Sequence, residues 1–151
     1  MEKQNFYDLN FDHLKNFLTS KVEIDSTKAK MRAQQMFNAV YKKNIKSFDE
    51  LTTFSLELRE KIKKLISLEK PKIVDIQKSK DGTIKFLLEL KDKRNVETVL
   101  IPDKSQSRYT ICLSVSVGCY LSCEFCATAQ ISKNLVRNLT PGEIISQIIL
   151  S

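Results

Sequence analysis

Between Cys119 and Cys126 the chain reads Cys-Tyr-Leu-Ser-Cys-Glu-Phe-Cys, a C-x3-C-x2-C triplet that constrains fold and chemistry more sharply than any other stretch. Three thiols from one short segment can share a ligand only if their sulfurs turn to one side of a loop. An iron-sulfur cube of four irons ordinarily takes four cysteines, so three local ligands leave one iron open to a group that is not protein. In radical chemistry that iron can hold S-adenosylmethionine (SAM), which accepts one electron, breaks a carbon–sulfur bond and releases a 5'-deoxyadenosyl radical. The expected cofactors are a 4Fe-4S cluster on Cys119, Cys123 and Cys126, and SAM. Two other readings use the same residues. A zinc site wants four ligands, and Cys112 is the only further cysteine, His13 being the single, remote histidine. A disulfide pair is the third reading, although four cysteines in a chain with no export signal are more often metal-binding or catalytic.

At 151 residues and 42% hydrophobic, the chain can bury one core, or a small domain plus part of another, and it is too short for a whole barrel enzyme. The start, Met-Glu-Lys-Gln-Asn-Phe-Tyr-Asp, has no signal-peptide pattern, and no run is long and apolar enough for a membrane span. The expectation is a soluble, cytoplasmic protein without a membrane partner. A net charge of +7 fits a nucleic-acid partner, since phosphates are met mainly by Lys and Arg. Lysines spread over helix faces, among them Lys61, Lys63, Lys64, Lys70 and Lys72, give the same charge as a solvated surface.

Residues 1 to 70 read as helical. Asn10 or Asp12 can open a helix with Phe11, Leu14, Phe17 and Leu18 on one side, and Asp25 or Ser26 a second one carrying Ala29, Met31 or Ala33, Met36, Phe37 and Val40. Ser47-Phe48-Asp49-Glu50 has the capping-box pattern, and Ser55 can start a last helix with Leu58, Ile62, Leu65 and Ile66 before Pro71 stops it. From Pro71 the period changes to two. Ile73–Ile76 and Thr83–Leu90 flank Asp81-Gly82, a hairpin signal, and Val96–Ile101 makes a third strand, so 71–104 reads as a small antiparallel sheet.

Tyr109–Val117 reads as one buried strand with Ile111, Leu113, Val115 and Val117 on one face and Cys112, Ser114 and Ser116 on the other. After the cysteines, Thr140-Pro141-Gly142-Glu143 combines a capping box with proline at the first helical position, and Ile144, Ile145, Ile148 and Ile149 follow as an apolar stripe. Strand, ligand-bearing loop and helix make a βα unit, and a parallel strand must be covered on both faces. The expected fold class is therefore α/β: a helical accessory domain (1–70), a small antiparallel β-hairpin sheet (71–104), then the first βα unit of a truncated TIM-like radical SAM barrel (105–151). With no further strands to cover it, 109–151 is expected to be poorly protected.

The run Val96-Glu97-Thr98-Val99-Leu100-Ile101-Pro102, then Thr110-Ile111-Cys112-Leu113-Ser114, the triplet with Phe125, and Arg137-Asn138-Leu139-Thr140 with Glu143-Ile144 closely resemble the RlmN family. These are radical SAM methyltransferases acting on adenine C2 in 23S ribosomal RNA and in transfer RNA. The resemblance implies that 1–70 binds RNA and that Cys119, Cys123 and Cys126 hold the cluster with Phe125 packed beside it. It further implies that Glu97 accepts the proton from adenine C2 and that Cys112 forms the transient disulfide that releases the methylated base. It also implies an electron donor such as flavodoxin or ferredoxin and a monomeric full-length protein.

Two departures qualify the likeness. The family's methyl-carrying cysteine lies near its C-terminus, and this chain has no cysteine after Cys126, so the expectation is an N-terminal fragment inactive alone. Where the family has a shorter link with glycine, this chain has Ala129-Gln130-Ile131-Ser132-Lys133-Asn134-Leu135-Val136, so the resemblance carries no SAM contact to that stretch. The alternative is a non-enzymatic RNA- or partner-binding remnant in which the cysteines hold structural zinc or an inert cluster.

Overall fold

Asn10, Asp25 and Ser55 each turn a side-chain oxygen onto backbone N–H groups that a helix start leaves unsatisfied, and helices α1 (Phe11–Ser20), α2 (Ser26–Phe37) and α3 (Leu56–Leu65) follow them. The computed structural model describes residues 3–103, 105, 107–119, 121, 123–126 and 137–151, and the chain divides into two units, Met1–Glu69 and Lys70–Ser151. Among the described residues no helix is long and apolar enough to cross a membrane.

In the first unit the helical stripes become the core. Leu14, Leu18, Ala29, Ala33, Met36, Val40 and Ile62 are buried, whereas Met31 is exposed, so Ala33 is the residue that continues the α2 stripe. The Ser47 capping box forms, with Glu50 reaching back to the Ser47 N–H at 2.9 Å, and opens a single turn, Phe48–Glu50. Helix α3 ends at Leu65, short of Pro71, because the chain turns extended to form β2 (Ile66–Ser67), which pairs parallel with β1 (Gln4–Asn5). That pairing tethers the N-terminal segment, and Phe6 behind it is fully buried against Phe37, Tyr41 and Phe48.

The second unit is a four-stranded antiparallel sheet ordered β3 (Lys72–Lys78), β4 (Ile84–Glu89), β5 (Asn95–Asp103) and β6 (Arg108–Leu113). Its two tight hairpins share one turn design. In Ser79–Thr83 and again in Leu90–Arg94 an aspartate, Asp81 or Asp92, accepts the N–H two residues on, and the residue between is left-handed: Gly82 at φ 96° and Lys93 at φ 66°. One face of the sheet carries Phe86, Leu88 and Val96 into a core completed by Leu90, Val117 and Leu139, against which Ile144 and Leu150 of α4 (Pro141–Leu150) pack.

Three expectations change here. Tyr109–Val117 is not one buried strand: β6 lies at the edge of the sheet, largely exposed, the ladder ends at Leu113, and Ser116–Val117 forms a separate strand, β7, pairing antiparallel with β8 (Arg137–Asn138). The break falls at Ser114 because both of its backbone groups leave the sheet. Its N–H donates to Gln147 Oε1 and its carbonyl accepts from Gln147 Nε2, each at 2.9 Å, while its hydroxyl donates to the Glu97 carbonyl at 2.7 Å. The described strands of this unit pair antiparallel throughout.

The second change concerns neighbours among the described residues: β6 is paired to β5, and Ile144 and Leu150 of α4 pack on the core of the sheet. The third is the rotation of α4. Gly142, Ser146 and Gln147 are its buried residues, and Ile148 of the expected apolar stripe is 47% exposed. Fully buried Gln147 fills all its hydrogen-bonding positions, accepting also from Thr98 Oγ1 at 2.8 Å and donating to the Glu143 carbonyl at 3.3 Å.

The paired turns give a direct test. A Cβ on Gly82 would be strained by its φ and would meet Pro102 Cγ at 3.2 Å, so Gly82→Ala should lower the stability of the chain by about 1–2 kcal/mol in urea unfolding. Lys93→Gly at the equivalent turn position should not be destabilising, because the left-handed backbone it relieves offsets the loss of an exposed ion pair to Glu89.

Candidate functional site

Cross-strand register brings the two expected catalytic residues onto one face. Cys112 of β6 stands opposite Val99 of β5, and Glu97 lies two residues from Val99, so both side chains project from the sheet face away from the Phe86–Leu88–Val96 core. A diagonal pair of this kind is roughly 7–8 Å apart. Cys112 is exposed, and Glu97 Oε1 lies 3.0 Å from Lys85 Nζ on the neighbouring strand. Glu97 is held at its backbone as well, through the Ser114 hydroxyl on its carbonyl.

The three clustered cysteines follow β7 directly. Gly118, at φ 79°, turns the chain out of the strand, a conformation that side chains with a Cβ rarely adopt. Cys119, Cys123 and Cys126 are each half-buried; the Leu121 N–H points to Cys119 Sγ at 3.4 Å, and the Cys126 N–H donates to the Cys123 carbonyl at 3.1 Å. None of the four cysteines is in a disulfide. Phe125 is 92% exposed. As a donor set the triplet suits an iron-sulfur cluster, being three thiols on one accessible segment. Among the described residues, however, no three His, Cys, Asp or Glu side chains are arranged to hold a metal ion, which applies equally to a four-cysteine zinc site. The stretch from Ala129 to Val136 lies outside the described residues.

Sequence reasoning gave Arg137 and Glu143 a place in the family motif but no part in the site. Arg137 opens β8 and makes a two-pronged contact with Glu143 of α4 at 2.7 and 2.8 Å, and its Nε donates to Asp92 in the β4–β5 turn at 2.8 Å. Leu139 N–H then donates to the Val115 carbonyl at 2.9 Å. Glu143 also closes the Thr140 capping box, accepting the Thr140 N–H at 2.9 Å. The guanidinium is held more firmly protonated by Glu143 and then by Asp92. Burial pushes the Glu143 carboxyl up, but the Arg137 bonds and the Thr140 N–H outweigh it and hold the carboxyl below its ordinary value; Asp92 is lowered chiefly by Arg137.

Those depressed carboxyls fix a sign. A group with a lowered folded pKa contributes stability that is complete above its unfolded value, 4.5 for Glu143, and that is lost as pH falls through the lower folded value. Glu143→Gln should therefore be destabilised relative to the native chain at neutral pH, and the gap should narrow below about pH 4.5 as the native carboxyl takes up its proton. Denaturant unfolding of both chains across that range measures it; a gap that stays constant or widens in acid would rule out the ion pair as its origin.

Residues 4–68 match the family model described as the ribosomal RNA large subunit methyltransferase N-terminal domain. Over 97% of its length the chain is 41% identical to the dual-specificity RNA methyltransferase RlmN of Campylobacter fetus, of which it spans 41%, and 37% identical to that of a Nitratiruptor species. A probable dual-specificity RNA methyltransferase RlmN from Staphylococcus epidermidis is 40% identical over 98% of the chain. The crystal structure of a radical SAM methyltransferase from Sphaerobacter thermophilus matches with a TM-score of 0.80 at 32% identity, covering 97% of this chain and 41% of that one. The chain thus spans about two fifths of the length of the curated relatives it matches, 41% in the Campylobacter case. On sequence and on fold together, the chain corresponds to an N-terminal portion of the RlmN family.

Proposed function

We propose that the chain serves a radical SAM methyltransferase that acts on C2 of adenine in 23S ribosomal RNA and transfer RNA, and that it contributes the thiols of the cluster site. The carrying observation is the donor set: Cys119, Cys123 and Cys126 stand on one accessible segment, at the spacing that leaves a fourth coordination place for a cofactor. A 4Fe-4S cluster bound there, with SAM, supplies the one-electron chemistry that an unactivated aromatic carbon requires. In this reading 105–151 opens the barrel, with β7 leading into the cysteine segment and α4 following it.

What the chain's own residues do follows from their chemistry. Cys119, Cys123 and Cys126 must each give up a proton to ligate, so cluster binding releases protons and strengthens with rising pH. Glu97 accepts the proton leaving adenine C2, its carboxylate directed across the strands by Lys85. Cys112, exposed on the same face, supplies the thiol for the disulfide step with a cysteine beyond this chain. The basic balance of +7 suits an RNA partner, and a flavodoxin- or ferredoxin-type donor provides the electron.

Anaerobic reconstitution of the chain with ferrous iron and sulfide should give a brown, oxygen-sensitive species. Cys119→Ala, Cys123→Ala and Cys126→Ala should each lose it and Cys112→Ala should keep it. Tight zinc with equal dependence on all four cysteines would instead establish a structural metal site and a binding protein. In a protein of the relatives' full length, Cys112→Ala should still cleave SAM but accumulate an RNA–protein adduct on denaturing gels. Normal turnover by that variant would remove Cys112 from the mechanism.

A further inference from the structure

We propose that helix α4 is a two-point clamp on the segment carrying Cys119, Cys123 and Cys126: Gln147 fixes its entry, Glu143 acting through Arg137 fixes its exit, and the three are positioning residues for the thiols. The assignment rests on the reading of that segment as the cluster-binding one. The entry grip is on Ser114, five residues before Cys119, whose N–H and carbonyl both bond the Gln147 amide at 2.9 Å. The exit grip is on Arg137, where β8 begins, through the two-pronged contact with Glu143. Residues 143 and 147 lie one helical turn apart, on one face of α4.

Between the grips, β7 and β8 pair over only two residues each, and so short a ladder has little stability of its own. The helix therefore sets the spacing of the two ends together with the Leu139 N–H bond to the Val115 carbonyl. Asp92 ties the exit to the β4–β5 turn as well, so Arg137 joins three elements of the unit at one point. Ligands of a metal centre bind well only when their supports hold them to a fraction of an ångström, and these are the described side chains that hold both ends.

A residue that merely stabilised the unit would, when lost, loosen the whole sheet. A clamp loosens its segment. Hydrogen exchange on the full 151-residue chain separates the two. In Gln147→Leu and in Arg137→Lys, which keeps the charge but not the fork, the amides of Ser114, Val117 and Leu139 should exchange at least about tenfold faster while those of Phe86 and Leu88 keep their native rates. If Gln147→Leu does not fold, Arg137→Lys carries the test. Anaerobic reconstitution with ferrous iron and sulfide then reads the thiols. Iron and sulfide bound per folded chain should fall in the variants, and the paramagnetic resonance line of the reduced cluster should broaden. Uniform acceleration of all amides overturns the clamp, as does native iron content and line shape in variants whose ends are loosened. A native chain that binds no iron would sink the cluster reading instead, and the exchange pattern would still decide whether α4 clamps the segment.

Discussion

Ser114 leaves the sheet with an N–H and a carbonyl that no strand receives, and an unsatisfied buried peptide costs on the order of 1–3 kcal/mol per group. The Gln147 side chain, itself an amide, meets both groups as a neighbouring strand would, and its remaining positions are filled by Thr98 and the Glu143 carbonyl. Nearly everything in the second unit follows from that substitution. It ends β6 at Leu113, frees the chain to start β7 in a new direction, and orients α4 with Gly142 and Ser146 against the sheet, where small side chains permit close approach. Glu143, one turn earlier, is thereby placed to receive Arg137.

The second unit thus works with both faces of one sheet. The covered face carries the hydrocarbon core and the helix; the other face carries Glu97, Lys85 and Cys112. Ser114 connects the two, since its backbone bonds the helix and its hydroxyl bonds the Glu97 carbonyl. The first unit is built differently. Its short helices depend on side-chain caps and on an aromatic cluster around Phe6, so local sequence decides its element boundaries.

That contrast explains what could be read in advance. Asn10, Asp25, Ser55 and Thr140 bond within a few residues of themselves, and each began its helix where the pattern indicated. The Asp81-Gly82 turn was visible for the same reason, whereas its twin at Lys93 was hidden because lysine carries no left-handed signal. The end of β6 at Ser114 was invisible under an unbroken alternation from Tyr109 to Val117, for its cause lies 33 residues away in Gln147. A glutamine in a helix looks like solvent-facing surface, and four isoleucines look like core. Of the site, the triplet was legible by spacing alone. The shared face of Glu97 and Cys112 needed the strand register, and Arg137 gave no signal apart from its likeness to a family motif.

The rotation of α4 has a consequence for how the chain reaches its fold. The side that the helix turns to the sheet carries Gly142, Ser146 and Gln147, with Ile144 and Leu150 packed beside them, and it leaves Ile148 outward. Hydrophobic attraction is non-directional and would accept a rotation that buries Ile148 as readily. Such a rotation would strand the backbone of Ser114 and the hydroxyl of Thr98, which Gln147 satisfies in the native docking. Apolar attraction delivers the helix to the sheet, and hydrogen bonding chooses its azimuth. The presentation of the cysteines thus depends on a polar choice of rotation that apolar patterning alone does not make.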